Sequence, residues 1–128
     1  MADGKAEITI AGDPDEVWKL VGDFGGLAEW MPGMESCEVQ GDVRIIKTMG
    51  IEIHEKLGAR DDAARTITYS IVQSPLPLEH HAATITVTPE GDGAHVTWAV
   101  EVRPDEMLGA FVPIYQQSLD AAKARVEG

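Results

Sequence analysis

Three polar residues, Glu55, Tyr69 and His81, fall where strand alternation turns a side chain toward an apolar interior. A carboxyl group on an apolar face has a raised pKa unless it is paired, which suits a general acid or base. Imidazole exchanges a proton near neutral pH, and a phenol can present its hydroxyl group to a ligand. Together these residues are the predicted catalytic group of a reaction that moves a proton.

Each of the three residues also has a purely structural interpretation. Glu55 would form an ion pair with Arg44 or Arg65, or lie at the solvated mouth of a cavity. His81 would be a hydrogen-bonded histidine of the core, and Tyr69 would belong to an amphipathic core. The sequence leaves both interpretations open.

Metal sites and nucleophilic sites are not expected. His80 and His81 point to opposite faces of one strand, so they cannot chelate an ion together, and His54 belongs with the outer face. Cys37 is the only cysteine. It therefore allows no internal disulfide and no thiolate metal site, and it is predicted to be an inert buried thiol. We expect neither a metal nor an organic cofactor.

The elements that must position these residues follow from the periodicity of the chain. Alternation with period two predicts strands near residues 5–11, 35–39, 43–49, 51–57, 65–71, 80–87 and 95–102. Asp13 and Pro14 begin a short helix that ends before Gly22, and a second short helix covers residues 26–30. Short turns between the strands predict an antiparallel sheet of the α+β class.

Residues 105–127 have helical periodicity, and the apolar side chains fall on one stripe that would cover the apolar face of the sheet. Pro113 removes a backbone donor and presses on the carbonyl of Gly109. We therefore expect a kink between these two residues, or a short turn followed by a main helix that begins at Pro113. The stripe consists of Leu108, Phe111, Val112, Tyr115, Leu119, Ala122 and Val126.

The formal net charge of −12 argues against nucleic acid and anionic membranes as partners, because both repel an acidic surface. No run of about 18 apolar residues is present, and the first residues carry no signal-peptide pattern. We expect one domain over residues 1–128, located in the cytoplasm, without membrane insertion, as a monomer or weak homodimer.

Two stretches resemble a known superfamily. Residues 8–18, ITIAGDPDEVW, resemble the opening of the START-like superfamily SRPBCC (Bet v 1-like), and residues 23–33, DFGGLAEWMPG, resemble its polyketide cyclase/dehydratase branch. The resemblance implies a helix-grip fold. In that fold a curved seven-stranded antiparallel sheet surrounds a long C-terminal helix, two short helices lie between strands 1 and 2, and a ligand cavity lies between sheet and helix. Further matches are Val43-Arg44, Glu55-Lys56-Leu57, Asp61-Asp62, Arg65, Tyr69, residues 75–77 and Val96-Thr97-Trp98.

The resemblance implies a small hydrophobic ligand, polyketide-like or lipid-like, in that cavity. Cofactor-independent cyclisation or dehydration would follow if Glu55 or His81 moved the proton and Tyr69 oriented a carbonyl or enolate. The alternative is a non-catalytic carrier or sensor of a hydrophobic ligand or lipid. The residues predicted to contact the ligand are Trp30, Arg44, Ile53, Ile67, Ala83, Ile85, Trp98, Phe111, Val112, Tyr115 and Leu119.

Overall fold

The computed structural model describes residues 2–128, and within them seven strands form one antiparallel sheet. The strands lie side by side in the order β1-β7-β6-β5-β4-β3-β2. Every connection except that between β1 and β2 joins neighbours in the sheet, as the short turns predicted. The strands are β1 (Ala2–Ile10), β2 (Met34–Gln40), β3 (Val43–Thr48), β4 (Ile51–Asp61), β5 (Thr66–Gln73), β6 (His80–Glu90) and β7 (Gly93–Arg103).

Between β1 and β2 lie the helix α1 (Pro14–Val21) and a single 3₁₀ turn (Leu27–Glu29). The Asp13 side chain accepts a hydrogen bond from the Asp15 backbone N–H at 2.8 Å, and Pro14 occupies the first turn, where its missing donor costs nothing. The helix ends at Gly22. The two predicted helical segments are thus confirmed, although the second is only one turn long.

The long helix α2 (Leu108–Glu127) follows a 3₁₀ turn (Asp105–Met107) and runs without a break through Pro113. The alternative of a main helix beginning at Pro113 is therefore wrong. Pro113 and Gly109 are both on the exposed side, so the carbonyl that proline leaves without a donor is on the side open to water. Within residues 2–128, neither helix has the length and hydrophobicity needed to cross a lipid bilayer.

The core lies between the inner face of the sheet and α2, which contacts β1 and β7. Alternate residues of β6 and β7 are buried on that face, as the period of two predicted. Gly4 in β1 allows the helix to approach closely, because a Cβ there would lie 3.1 Å from Leu108 Cδ1 and 3.3 Å from Val112 Cγ2. The predicted helix-grip fold, with its curved sheet around a C-terminal helix, is confirmed.

Candidate ligand-binding site

A cavity of about 410 Å³ lies between α2 and the inner face of β3, β4 and β5. Its lining is mostly aliphatic, aromatic and thioether groups, and its volume is within the range of about 300–1,000 Å³ that is typical of ligand pockets. The lining residues from the sheet include Ile46, Ile51, Ile53, Glu55, Tyr69, Ile71 and Trp98, and those from α2 include Ala110, Phe111, Ile114, Tyr115, Gln117 and Ser118.

A buried ion pair lies at one wall of the cavity. Arg44 and Glu55 are cross-strand partners in β3 and β4, and Arg44 Nε donates to Glu55 Oε1 at 2.8 Å. Only 3% of Arg44 and 6% of Glu55 is exposed. Burial raises the pKa of Glu55, and the guanidinium of Arg44 acts in the opposite direction. The ion-pair interpretation of Glu55 thus holds with Arg44, whereas Arg65 pairs with Asp15.

The guanidinium of Arg44 is held from several sides. Its Nη1 donates to the backbone carbonyl of Phe24 at 2.9 Å, and its carbon lies 4.5 Å from the ring centroids of Phe24 and Tyr69. Glu55 lines the cavity, whereas Arg44 lies behind it. The register of β4 and β5 shifts next to Glu55, and such irregularities re-aim side chains near functional sites.

A second polar cluster begins at His81. The backbone N–H of Ile71 donates to His81 Nδ1 at 3.1 Å, and Nε2 lies 3.2 Å from the hydroxyl of Tyr115. Because a backbone N–H can only donate, Nδ1 carries no proton, and Nε2 donates to Tyr115. Burial lowers the pKa of His81 to about 4, which agrees with a neutral ring.

The cluster continues through the aromatic side chains. Trp98 Nε1 donates to the Tyr69 hydroxyl at 3.0 Å, and the Trp98 ring stacks on Tyr115 with centroids 4.0 Å apart. Burial raises the pKa of both phenols, so both are protonated at neutral pH. Tyr69, Trp98 and Tyr115 all line the cavity, whereas His81 lies behind them.

Five further residues predicted to contact the ligand do not line the cavity. Ile67, Ala83 and Ile85 are buried on the inner face, but α1 contacts β6 and β7 and contributes buried side chains to that part of the interior. Val112 lies against Gly4 of β1. Leu119 is fully buried in the core. Val112 and Leu119, which were predicted to contact the ligand, are therefore not part of the lining.

The remaining predicted residues differ in whether they line the cavity. Trp30 is buried with its ring 5.8 Å from that of Trp98, but it is not part of the lining. Arg44 and His81 reach the cavity only through Glu55 and the tyrosines. The predicted residues that do line it are Ile53, Glu55, Tyr69, Trp98, Phe111 and Tyr115.

Four methionines line the cavity that the sequence did not predict as part of the site. Of the five methionines in the chain, these four are Met31, Met34, Met49 and Met107. They lie in or beside loops and turns, where no periodicity reveals which way a side chain points. A signal was nevertheless present, because thioethers that flank glycine and proline turns are suited to an adaptable apolar rim.

A second depression, of about 480 Å³, lies on the outer face of β1, β6 and β7. It is lined by short side chains such as Ala82 and Ala99 and by the charged Lys5 and Glu101. No buried polar cluster among residues 2–128 faces it, so we place the candidate site inside the sheet. Within the same residues no group of three or more His, Cys, Asp or Glu side chains is arranged to hold a metal ion.

The chain is similar to known proteins in both sequence and structure. A family model described as "Polyketide cyclase / dehydrase and lipid transport" matches residues 1–127. No curated protein matches the chain. The solved structure of the protein XoxI from Bacillus cereus is 30% identical to this chain, with a TM-score of 0.94. The match covers 99% of this chain and 96% of that protein.

Two more distant structures show a likeness of fold. The di-domain ARO/CYC BexL from the BE-7585A biosynthetic pathway is 21% identical with a TM-score of 0.84; the match covers 99% of this chain and 47% of BexL. Ginseng major latex-like protein 151 from Panax ginseng is 17% identical with a TM-score of 0.82, and the match covers 99% of this chain and 98% of that protein.

Proposed function

This chain belongs to the polyketide cyclase/dehydrase and lipid transport family, and we propose that it binds a small hydrophobic molecule, polyketide-like or lipid-like, between its sheet and α2. The observation that carries the proposal is the cavity of about 410 Å³, whose lining is apolar except for a few polar groups. Apolar burial supplies the affinity for such a ligand, and the few polar groups fix its orientation.

A second candidate function is catalysis, and the observation that favours it is the position of Glu55. Its carboxyl group lines the cavity, and burial raises its pKa, which is the setting of a general acid or base. In an aldol-type cyclisation, Glu55 would take a proton from a carbon next to a carbonyl group. The resulting enolate would bond to a second carbonyl carbon, whose oxygen would take the proton back. His81 would act only through Tyr115.

Native mass spectrometry of freshly purified protein tests both candidates. We expect a bound small molecule that is released on denaturation, and its mass would identify the ligand class. After long incubation, the released molecule is compared with the starting ligand by chromatography and mass. Recovery of the unchanged compound supports a carrier, whereas a cyclised isomer of equal mass, or a product lighter by one water if dehydration follows, supports an enzyme. Under catalysis, Glu55→Gln keeps binding and stops formation of the product, because the amide cannot accept the proton.

A blocking substitution tests whether the cavity is the binding site. Ala110 lines the cavity from the exposed part of α2, so Ala110→Trp should fill the entrance and leave the core unchanged. We expect loss of the co-purifying molecule in this variant. Asp120→Trp, on an exposed position of the same helix outside the lining, is the matched control and should retain it. Equal retention by both variants would place the ligand elsewhere.

A further inference from the structure

The hydroxyl groups of Tyr69 and Tyr115 carry two protons to donate, which is more than the neighbouring protein groups can accept. Each accepts a hydrogen bond from a group that can only donate there, Trp98 Nε1–H in one case and His81 Nε2–H in the other. Each tyrosine therefore keeps its own proton to donate. A hydrogen bond from one hydroxyl to the other would use only one of these two protons. At least one O–H at the cavity wall remains available to a ligand.

The other hydroxyls in the lining are already used. Thr48 Oγ1 donates to the carbonyl of Gly33 at 3.1 Å, and Ser118 Oγ donates to the carbonyl of Ile114 at 2.8 Å. A buried donor gains most from a hydrogen bond when water is excluded from its surroundings. Gln117, whose amide also lines the cavity, occupies an exposed position of α2. The tyrosine pair is therefore the buried donor that an acceptor on the ligand would meet.

The charge of the lining disfavours an anion. Among the described residues that line the cavity, Glu55 is the one with a charged side chain, and its counterion Arg44 is already bound to it and to Phe24. A carboxylate ligand would lose its hydration next to Glu55 without a free cation to replace it, which is costly. The net charge of −12 adds a repulsive field outside the cavity.

We infer that the cavity selects an uncharged hydrophobic ligand whose hydrogen-bond acceptor, of the ketone, aldehyde or quinone type, binds the tyrosine hydroxyls, and that it discriminates against carboxylates such as fatty acids. The inference rests on the proposed function and names the chemical class of the ligand. The tyrosine pair supplies recognition of the acceptor, and the Arg44–Glu55 pair supplies rejection of the anion.

Three naphthalenes of similar shape test the inference by calorimetric titration of the purified protein. 2-Acetylnaphthalene carries a ketone, 2-isopropenylnaphthalene replaces its oxygen with carbon, and 2-naphthoate carries an anion. We expect the ketone to bind roughly three- to tenfold more tightly than the hydrocarbon, because one net hydrogen bond changes the affinity by about that factor. Naphthoate should bind more weakly than both.

Variants assign the two preferences to residues. Tyr69→Phe and Tyr115→Phe each remove one proton, and in the double variant the ketone and the hydrocarbon should bind equally. Ser70→Ala, which removes a hydroxyl from the next residue of β5 and lies outside the lining, is the matched control and should keep the preference. Glu55→Gln leaves the charge of Arg44 unbalanced, and we expect at least a tenfold gain in affinity for naphthoate.

The outcomes separate this inference from the proposed function. Wild-type affinity for naphthoate equal to or above that for the ketone overturns the inference and leaves hydrophobic binding intact. A ketone preference that survives loss of both tyrosine hydroxyls also overturns it, and so does a Glu55→Gln variant that unfolds cooperatively but gains no affinity for the anion. Failure of all three compounds to bind, the hydrocarbon included, contradicts the proposed function itself.

Discussion

The inner wall and the mouth of the cavity are built by opposite means. The inner wall, by which we mean the lining residues Glu55, Tyr69, Trp98 and Tyr115 together with Arg44 and His81 directly behind them, is buried, and each of its polar side chains has a hydrogen-bond partner among residues 2–128. The mouth, by which we mean Met31, Met34, Met49, Met107 and Ile114, is apolar; 71% of Met49 and 37% of Ile114 is exposed.

This difference indicates a division of labour within one cavity. Hydrogen bonds and an ion pair at the inner wall have fixed geometry, so they can orient a ligand and contribute to the stability of the fold. Unbranched thioethers at the mouth change rotamer at low cost, so they can adapt to the outline of a ligand. Substitutions at the inner wall should therefore alter stability strongly, whereas substitutions at the mouth should alter binding with little loss of stability.

The largest effect is expected from breaking the ion pair. Arg44→Met leaves the Glu55 carboxyl buried without a partner, and we expect the free energy of unfolding to fall by about 3–5 kcal/mol. Urea denaturation measures it. The double variant Arg44→Met/Glu55→Leu should recover most of that loss, because no charge then remains buried.

Lys47→Met is the matched control for this substitution. It removes a positive charge from an exposed position of the same strand, β3, and should change stability by less than about 0.5 kcal/mol. A double variant as unstable as Arg44→Met alone would show that packing, and not an unpaired charge, makes this wall essential.

The pH dependence of stability should also originate at the inner wall. The pKa of His81 is lowered in the folded state to about 4 from the ordinary 6.5. Between these pH values the unfolded chain binds more protons than the folded protein. The free energy of unfolding is therefore undiminished by His81 above pH 6.5 and decreases as the pH falls toward 4. The full loss amounts to about 3 kcal/mol.

Two measurements check this prediction. NMR titration of the His81 ring should give a midpoint near 4. Unfolding free energies at pH 7 and pH 4.5 should differ more in the wild type than in His81→Gln, whose amide keeps both hydrogen-bonding roles without titrating. Equal pH dependence in the two proteins would show that His81 does not contribute to the loss of stability at low pH.

The contrast between the inner wall and the mouth also explains which parts of the site the sequence could predict. A strand turns successive side chains to opposite faces, so alternation correctly placed Glu55, Tyr69 and His81 on the inner face. The sequence left Arg44 and Arg65 open as partners for Glu55, and only the structure selects Arg44. Their part in catalysis stays a prediction. Capping residues around Asp13 likewise predicted the start of α1.

The extent of the cavity could not be predicted in this way. Ile85 and Tyr69 both point inward, yet whether a position borders a cavity or a filled core depends on what α1 and α2 place opposite it. Met31 and Met49 lie in connections without periodicity, so their convergence depends on tertiary structure. The alternative of a helix that begins only at Pro113 failed because packing of the rest of α2 outweighs one missing hydrogen bond.

The smallest effect on stability, and the sharpest test of the contrast, is expected at Met49. This residue has φ of 52° in the turn before Gly50, a left-handed conformation that asparagine or glycine adopts more readily. Met49→Asn should therefore raise the free energy of unfolding by up to about 1 kcal/mol. It should also weaken the binding of the hydrophobic probes several-fold, because it removes a thioether from the mouth.

Val39→Asn, at an exposed apolar position outside the lining, is the control for this substitution and should leave binding unchanged. If Met49→Asn raised stability without weakening binding, Met49 would contribute nothing to binding, and the mouth would extend no further than Met31, Met34, Met107 and Ile114.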